Sequence, residues 1–205
     1  MSRSFVRFTP KLLPVVAVLW LGAMAGSTAL LWKYALTPGI PSGPLPQWPA
    51  ESKLRLSTEA PTLLVFVHPH CPCSRATLHE LALTLASCPA KIETQVVFYR
   101  PVGFGPGWEK TSLWRKAEDI PGVKVVIDQD GAELKIFSVT TSGQVLLYDR
   151  SGKLQYNGGI TAARGHEGQN AGRDAIISVI NGSEMCPTAS PVFGCPLSET
   201  AAFAR

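Results

Sequence analysis

Apolar positions fall into two regimes along this chain. From Leu12 to Trp32 run 21 residues without a charge, long enough at about 1.5 Å per residue to cross a hydrocarbon core of about 30 Å. Beyond it the apolar residues come in short, bounded runs. Thr62 to Val67 (TLLVFV) is continuous and rich in β-formers, which predicts a strand buried on both faces. From Ser74 the spacing changes to Ala76, Leu78, Leu81, Leu83 and Leu85 among polar residues, a helix that ends at Cys88-Pro89 because a residue before proline avoids the helical region. Lys91 to Arg100 predicts a second strand, Glu109 to Asp119 a second helix closed by Pro121-Gly122, Val123 to Asp128 a third strand, and Gly131 to Phe137 a short helix. Gln144 to Tyr148 and Lys153 to Tyr156 flank Asp149-Arg150-Ser151-Gly152 as a hairpin, with Gly158-Gly159 ending its second strand. A Gly-rich loop then leads to a last helix, Arg173 to Ile180. Strands alternating with helices, then a hairpin and a helix, predict an α/β sandwich with a mixed central sheet.

Charge sharpens the N-terminal regime. Of the 19 Lys and Arg, four (Arg3, Arg7, Lys11, Lys33) precede the first acidic residue, Glu51, so the remaining 15 balance the 15 Asp and Glu. The net charge of +4 is therefore N-terminal, and the body offers no clustered basic face of the kind nucleic acid requires. Basic residues ahead of the apolar span predict a single-pass cell-membrane protein with its N-terminus in the cytoplasm and its body outside, periplasmic in a Gram-negative source. The competing reading is a cleaved signal peptide, for which Ala23-Met24-Ala25 before Gly26 is a passable site. Both export the body. The chain divides into a basic segment (1–11), an anchor (12–36), a linker (37–57), a folded domain (58–181) and a cysteine-containing tail (182–205). Prolines 38, 41, 44, 46 and 49 predict that the linker is a stiff spacer.

An exported chain meets an oxidising compartment, which makes its five cysteines, at 71, 73, 88, 186 and 195, informative. Cys71 and Cys73 stand where the first strand gives way to a helix. Unpaired N–H groups and the helix dipole there favour a thiolate, so a nucleophile near neutral pH is expected. Cys71 is the preferred nucleophile and Cys73 the thiol that resolves a mixed disulfide. Cys88 reads as apolar filling at a helix end. Cys186 and Cys195 bracket CPTASPVFGC, a loop that a disulfide would close; the sharper reading makes one of them a relay thiol for Cys71 and Cys73. His68, His70 and His79 cluster around the pair. Hairpin topology returns the Gly158 to Gly172 loop towards it, bringing Arg164 and His166 as candidates to tune the site. Thiolate plus imidazole also suits copper, with Cys71, Cys73 and His166 as the alternative ligand set. No Gly-x-Ser-x-Gly, phosphate-loop or His-Glu-x-x-His pattern supports another enzyme class.

The element order, with its cysteine pair after the first strand, resembles the thioredoxin-like fold. The anchor, His68-Pro69-His70-Cys71-Pro72-Cys73, Thr141-Ser142-Gly143 before QVLLYD, and Gly158-Gly159-Ile160-Thr161 followed by Arg164-Gly165-His166 resemble RedB-type membrane-anchored thioredoxin-like proteins. The resemblance implies thiol–disulfide exchange with protein thiols or disulfides and no organic cofactor. A non-catalytic thioredoxin-like interaction domain is the remaining alternative. The sequence departs from the family's pattern in three places. Its cysteines are separated by one residue instead of two, so His70 can be set in the nucleophile's place if Pro72-Cys73 is aligned. Gly143 stands where a cis-proline is usual, and the first strand lacks the buried acidic residue that assists the resolving cysteine. A bridge across a single proline would be strained, which favours an oxidant or isomerase-like poise.

Overall fold

The structure, a computed structural model, describes residues 12–40, 43, 45–88, 90–182 and 187–197. Arg3, Arg7, Lys11, Pro41, Pro44, Pro89 and Cys186 lie outside the described residues, and with them the pairing of Cys186 with Cys195. The chain forms two units, 1–36 and 37–205. In the first, helix α1 (Leu12–Leu36) is 25 residues of almost wholly apolar side chains, with Lys33 in its last turn and no acidic residue in its first. By length and composition it can cross a membrane, as a signal sequence also can.

The second unit is the expected sandwich. Its elements are β1 (Thr62–Val67), α2 (Ser74–Ser87), β2 (Glu93–Arg100), α3 (Ser112–Glu118), β3 (Val123–Gln129), α4 (Ala132–Ile136), β4 (Gln144–Tyr148), β5 (Leu154–Gly159) and α5 (Ala171–Ile180). The sheet order is β3-β2-β1-β4-β5. β1 to β3 run parallel, β4 pairs antiparallel with β1, and β5 antiparallel with β4. Every residue of β1 is buried, as an uninterrupted apolar strand in the middle of a sheet requires. Leu63, Val65 and Val67 join Leu78, Leu81, Phe98, Trp114 and Ile176 on one face. Leu64 and Phe66 join Phe137, Leu146 and Tyr148 on the other.

Three expectations change. The second helix begins at Ser112 instead of Glu109, because Thr111 Oγ1 accepts the Leu113 N–H as its cap and Glu109 is drawn inward to Arg100, 3.4 Å away. Residues 45–57 lie along the domain: Trp48 packs edge-on against Phe137 and Tyr148, Leu54 is buried, and Gln47 bridges to Lys153. Their prolines stiffen the backbone locally, but burying an indole between two rings outweighs leaving it in water. Residues 187–197 of the tail likewise join the domain. Asn157 pairs with residues 188 to 190, Thr141 bridges to Pro196, and Leu197 is buried in the second core.

Candidate active site: three thiols at the start of a helix

Leaving β1, the chain turns through His68-Pro69-His70, where the Cys71 N–H donates to His68 O at 3.1 Å. The first turn of α2 follows at once, with Ser74 N–H donating to Cys71 O and Ala76 N–H to Cys73 O. Cys73 occupies the N-cap position but already has helical dihedrals and makes no side-chain cap. Its sulfur is thus not used to satisfy the helix end. Cys71 and Cys73 are 2 % and 9 % exposed.

The third sulfur comes from the tail. Cys195 Sγ lies 2.7 Å from Cys71 Sγ, and the Sγ atoms of Cys71, Cys73 and Cys195 all lie within 4.8 Å of one another. Among the described residues no His, Asp or Glu joins that group. Cys195 is held there by backbone. Its carbonyl accepts the Ser142 N–H at 2.8 Å, Leu197 N–H donates to Thr140 O at 2.9 Å, and Gly39 N–H donates to Val192 O at 2.8 Å. The close approach depends on missing side chains: a Cβ on Gly194 would meet Ser142 O, and one on Gly159 would meet Pro191 O. Gly143, with φ of +90°, donates its N–H to Phe66 O and turns the chain into β4. The described residues contain no cis peptide bond. Facing the thiols from this loop, the Ser142 hydroxyl lies 2.8 Å from that of Ser74 and accepts the His68 N–H.

Hydrogen bonds from Cys195, then from Cys73, hold the Cys71 thiol well below the ordinary thiol range, overcoming its burial. The partner thiols move the other way. Cys195 is raised, first by its contact with Cys71, and also by Cys73 and burial. Cys73 is raised: its contact with Cys195 acts downward, but the Cys71 anion and burial outweigh that contact and the nearby Arg164 charge. Cys71 is thus the thiol of the trio that its neighbours favour as the anion, and Cys195 the one they disfavour.

The other candidates separate. Arg164 reaches the site, its Nη1 donating to Gly194 O and its charge acting on Cys73. His166 is exposed and stands outside the sulfur group, so Cys195 occupies the third place that the copper alternative gave to His166. His70 is turned against Trp108, with ring centroids 4.5 Å apart and Nε2 3.2 Å from Trp108 O. His68 is the histidine whose surroundings feel Cys71. Burial lowers its pKa, more than the Cys71 charge raises it, and its Nδ1 accepts the His70 N–H, which leaves the proton of the neutral ring on Nε2. His79 makes a surface pair with Glu167 at 3.8 Å. Cys88 is half-buried at the end of α2, and burial raises its pKa. Beside the thiols runs a groove of about 860 Å³, lined in part by His68, Tyr99, Phe104, Trp108, Pro196 and Leu197. Sequence reasoning placed Ser74 at the helix start and Ser142 in the Thr141-Ser142-Gly143 motif but gave neither hydroxyl a role at the site.

No protein-family model matches the chain, and no curated protein matches it. Solved structures do. An uncharacterized conserved protein from Geobacillus kaustophilus superposes with a TM-score of 0.57 at 18% identity, covering 80% of this chain and 92% of that one. A hypothetical protein from Sinorhizobium meliloti gives 0.56 at 20% identity, over 80% and 94%. A secreted disulfide oxidoreductase from Mycobacterium tuberculosis gives 0.45 at 17% identity, over 62% and 84%. At these identities the likeness is one of fold.

Proposed function

We propose that this protein, whose fold is thioredoxin-like, is a thiol–disulfide oxidoreductase of the RedB type, held at the cell membrane by α1 with its domain on the outer side. Its partners are protein thiols or disulfides, and no organic cofactor is needed because cysteine sulfur carries both electrons. One observation supports the reading above all: Cys71, at the start of α2, is a depressed-pKa thiol with two other thiols within 4.8 Å. Cys71 attacks a partner sulfur as thiolate. A neighbouring thiol, for which the motif supplies Cys73, then resolves the mixed disulfide. Arg164 favours the anionic forms through its charge. The groove beside His68 and Trp108 gives a partner chain room to approach.

The test is thiol counting in glutathione redox buffers. The full chain in detergent should lose two thiols reversibly, and Cys71→Ser should abolish that loss. Absence of any reversible two-thiol oxidation would remove the proposal. Protease accessibility in sealed membranes, cutting the domain only from the outer side, tests the orientation.

A second reading is favoured by the same three sulfurs, which lie close enough together to offer three soft ligands to one Cu(I). It expects one Cu(I) per chain, lost in Cys195→Ser and kept in His166→Ala. A Cys195→Ser protein that still binds Cu(I) stoichiometrically counts against it.

A further inference from the structure

We propose that Cys195, delivered by the C-terminal tail, is the resolving thiol for Cys71. The inference rests on the oxidoreductase reading and assigns the second sulfur of its chemistry. Its basis is position. Cys195 Sγ is 2.7 Å from Cys71 Sγ, although 124 positions separate the two residues. The segment that carries it is fixed by main-chain bonds on both flanks, from Gly39 to Val192 O, from Ser142 to Cys195 O and from Leu197 to Thr140 O, and by Arg164 at Gly194 O. A sulfur so placed is part of the site's construction.

Cys73 is the poorer partner for a bond to Cys71. The bridge would have to close through Pro72, whose ring fixes φ near about −65°, while Cys73 is committed to the first turn of α2 at φ −64° and ψ −28°. Both ends of so small a ring are fixed by the helix start. Cys195 comes from a separate segment, so its sulfur closes on Cys71 with no such covalent restriction.

The electron and proton balance follows from the same arrangement. The Cys71 thiolate attacks one sulfur of a partner disulfide, that S–S bond breaks, and the first partner sulfur leaves as thiolate and is protonated from solvent. With Cys71 now in a mixed disulfide, the anion that made Cys195 hold its proton is gone. Cys195 then deprotonates to give the attacking thiolate. It attacks Cys71 Sγ, the bond to the partner breaks, and the second partner sulfur leaves and takes up the proton Cys195 released. Two electrons pass from the Cys71 and Cys195 pair to the partner, which becomes a dithiol, while the pair becomes a disulfide. The reverse sequence oxidises a partner dithiol, and a second protein dithiol or disulfide returns the pair to its starting state.

The experiment equilibrates the full chain in detergent with glutathione buffers, blocks free thiols, digests without reduction and maps the linked peptides by mass spectrometry. The expected product joins the Cys71 and Cys195 peptides. Cys88→Ser, at a thiol outside the sulfur group, should keep the reversible loss of two thiols. Cys195→Ser should lose it, accumulate glutathione on Cys71, and turn over a reporter peptide disulfide at least about tenfold more slowly. A Cys71–Cys73 or Cys186–Cys195 linkage, with Cys195→Ser turning over normally, overturns the assignment and leaves the oxidoreductase reading standing. Failure of the unaltered protein to form any reversible disulfide removes both.

Discussion

Helix α2 serves two buried acidic groups, Glu80 in its middle and Cys71 just before its start, and they differ in what surrounds them. Glu80 is fully buried, and its carboxylate accepts the Gly168 N–H at 2.7 Å, Asn170 Nδ2 at 3.1 Å and Arg173 Nη1 at 2.8 Å. None of those donors can react with it. They pin the loop after β5 to the helix, and the group is structural. Cys71 is nearly as buried, but its leading donors are two thiols, each able to exchange its hydrogen bond for a covalent one. A buried anion is thus inert or reactive according to the chemistry of its donors, with burial common to both cases.

The sharpest test of that contrast removes each anion in turn. Cys71→Ser should reduce exchange with a reporter peptide disulfide by at least about a thousandfold, towards the uncatalysed rate, far more than it changes the fraction of folded molecules. Glu80→Gln should do the reverse. Leaving Arg173 facing a neutral amide costs about 3 kcal/mol, and exchange per folded molecule should stay within about threefold, the range of a distant substitution. A Glu80→Gln protein as stable as the unaltered one would break the comparison.

A third test uses pH. Below about 8.5 the unfolded chain holds protons on both Cys71 and Cys195, whereas the folded pair, with Cys71 lowered and Cys195 raised, holds one. The unfolded state then binds more protons, so stability rises with pH. Above about 8.5 the unfolded thiols lose both protons while Cys195 in the folded state keeps its own, and stability falls. The reduced protein should therefore be most stable near pH ~8.5, and Cys71→Ser should flatten the maximum in a series of denaturant titrations. Curves of the same shape for both proteins would contradict the shared proton.

The smallest effects concern the loop that Glu80 pins. Arg164→Gln removes the donor at Gly194 O, next to Cys195, and should slow exchange about three- to tenfold by loosening the placement of that thiol. His166→Ala, at an exposed position outside the sulfur group, should change the rate by less than about twofold. Equal losses from the two would remove the distinction the structure draws between them.

Most of the scaffold was legible in the sequence because its signals are local. The six-residue run from Thr62 to Val67 is β1 to the residue, and Cys88 before Pro89 marks the end of α2. Helix α5 starts two residues before the expected Arg173 because Asn170 accepts the Arg173 N–H as a cap, a signal masked by the glycines around it. The linker was misread for a physical reason. Proline content reports local stiffness, whereas the positions of Trp48 and Leu54 are decided by a core that sequence spacing does not describe. The candidate site shows the same limit. The α2 start could be inferred, but the arrival of Cys195 depends on backbone bonds between distant segments, and no spacing rule carries that information.

Gly194 gives this dependence on backbone a practical form. Adding one methyl group there, as in Gly194→Ala, would collide with the Ser142 carbonyl and displace the neighbouring Cys195. The number of sulfurs at the site is thus adjustable without altering any cysteine. A single carbon atom, placed on a residue with no chemistry of its own, separates a three-thiol centre from a two-thiol one.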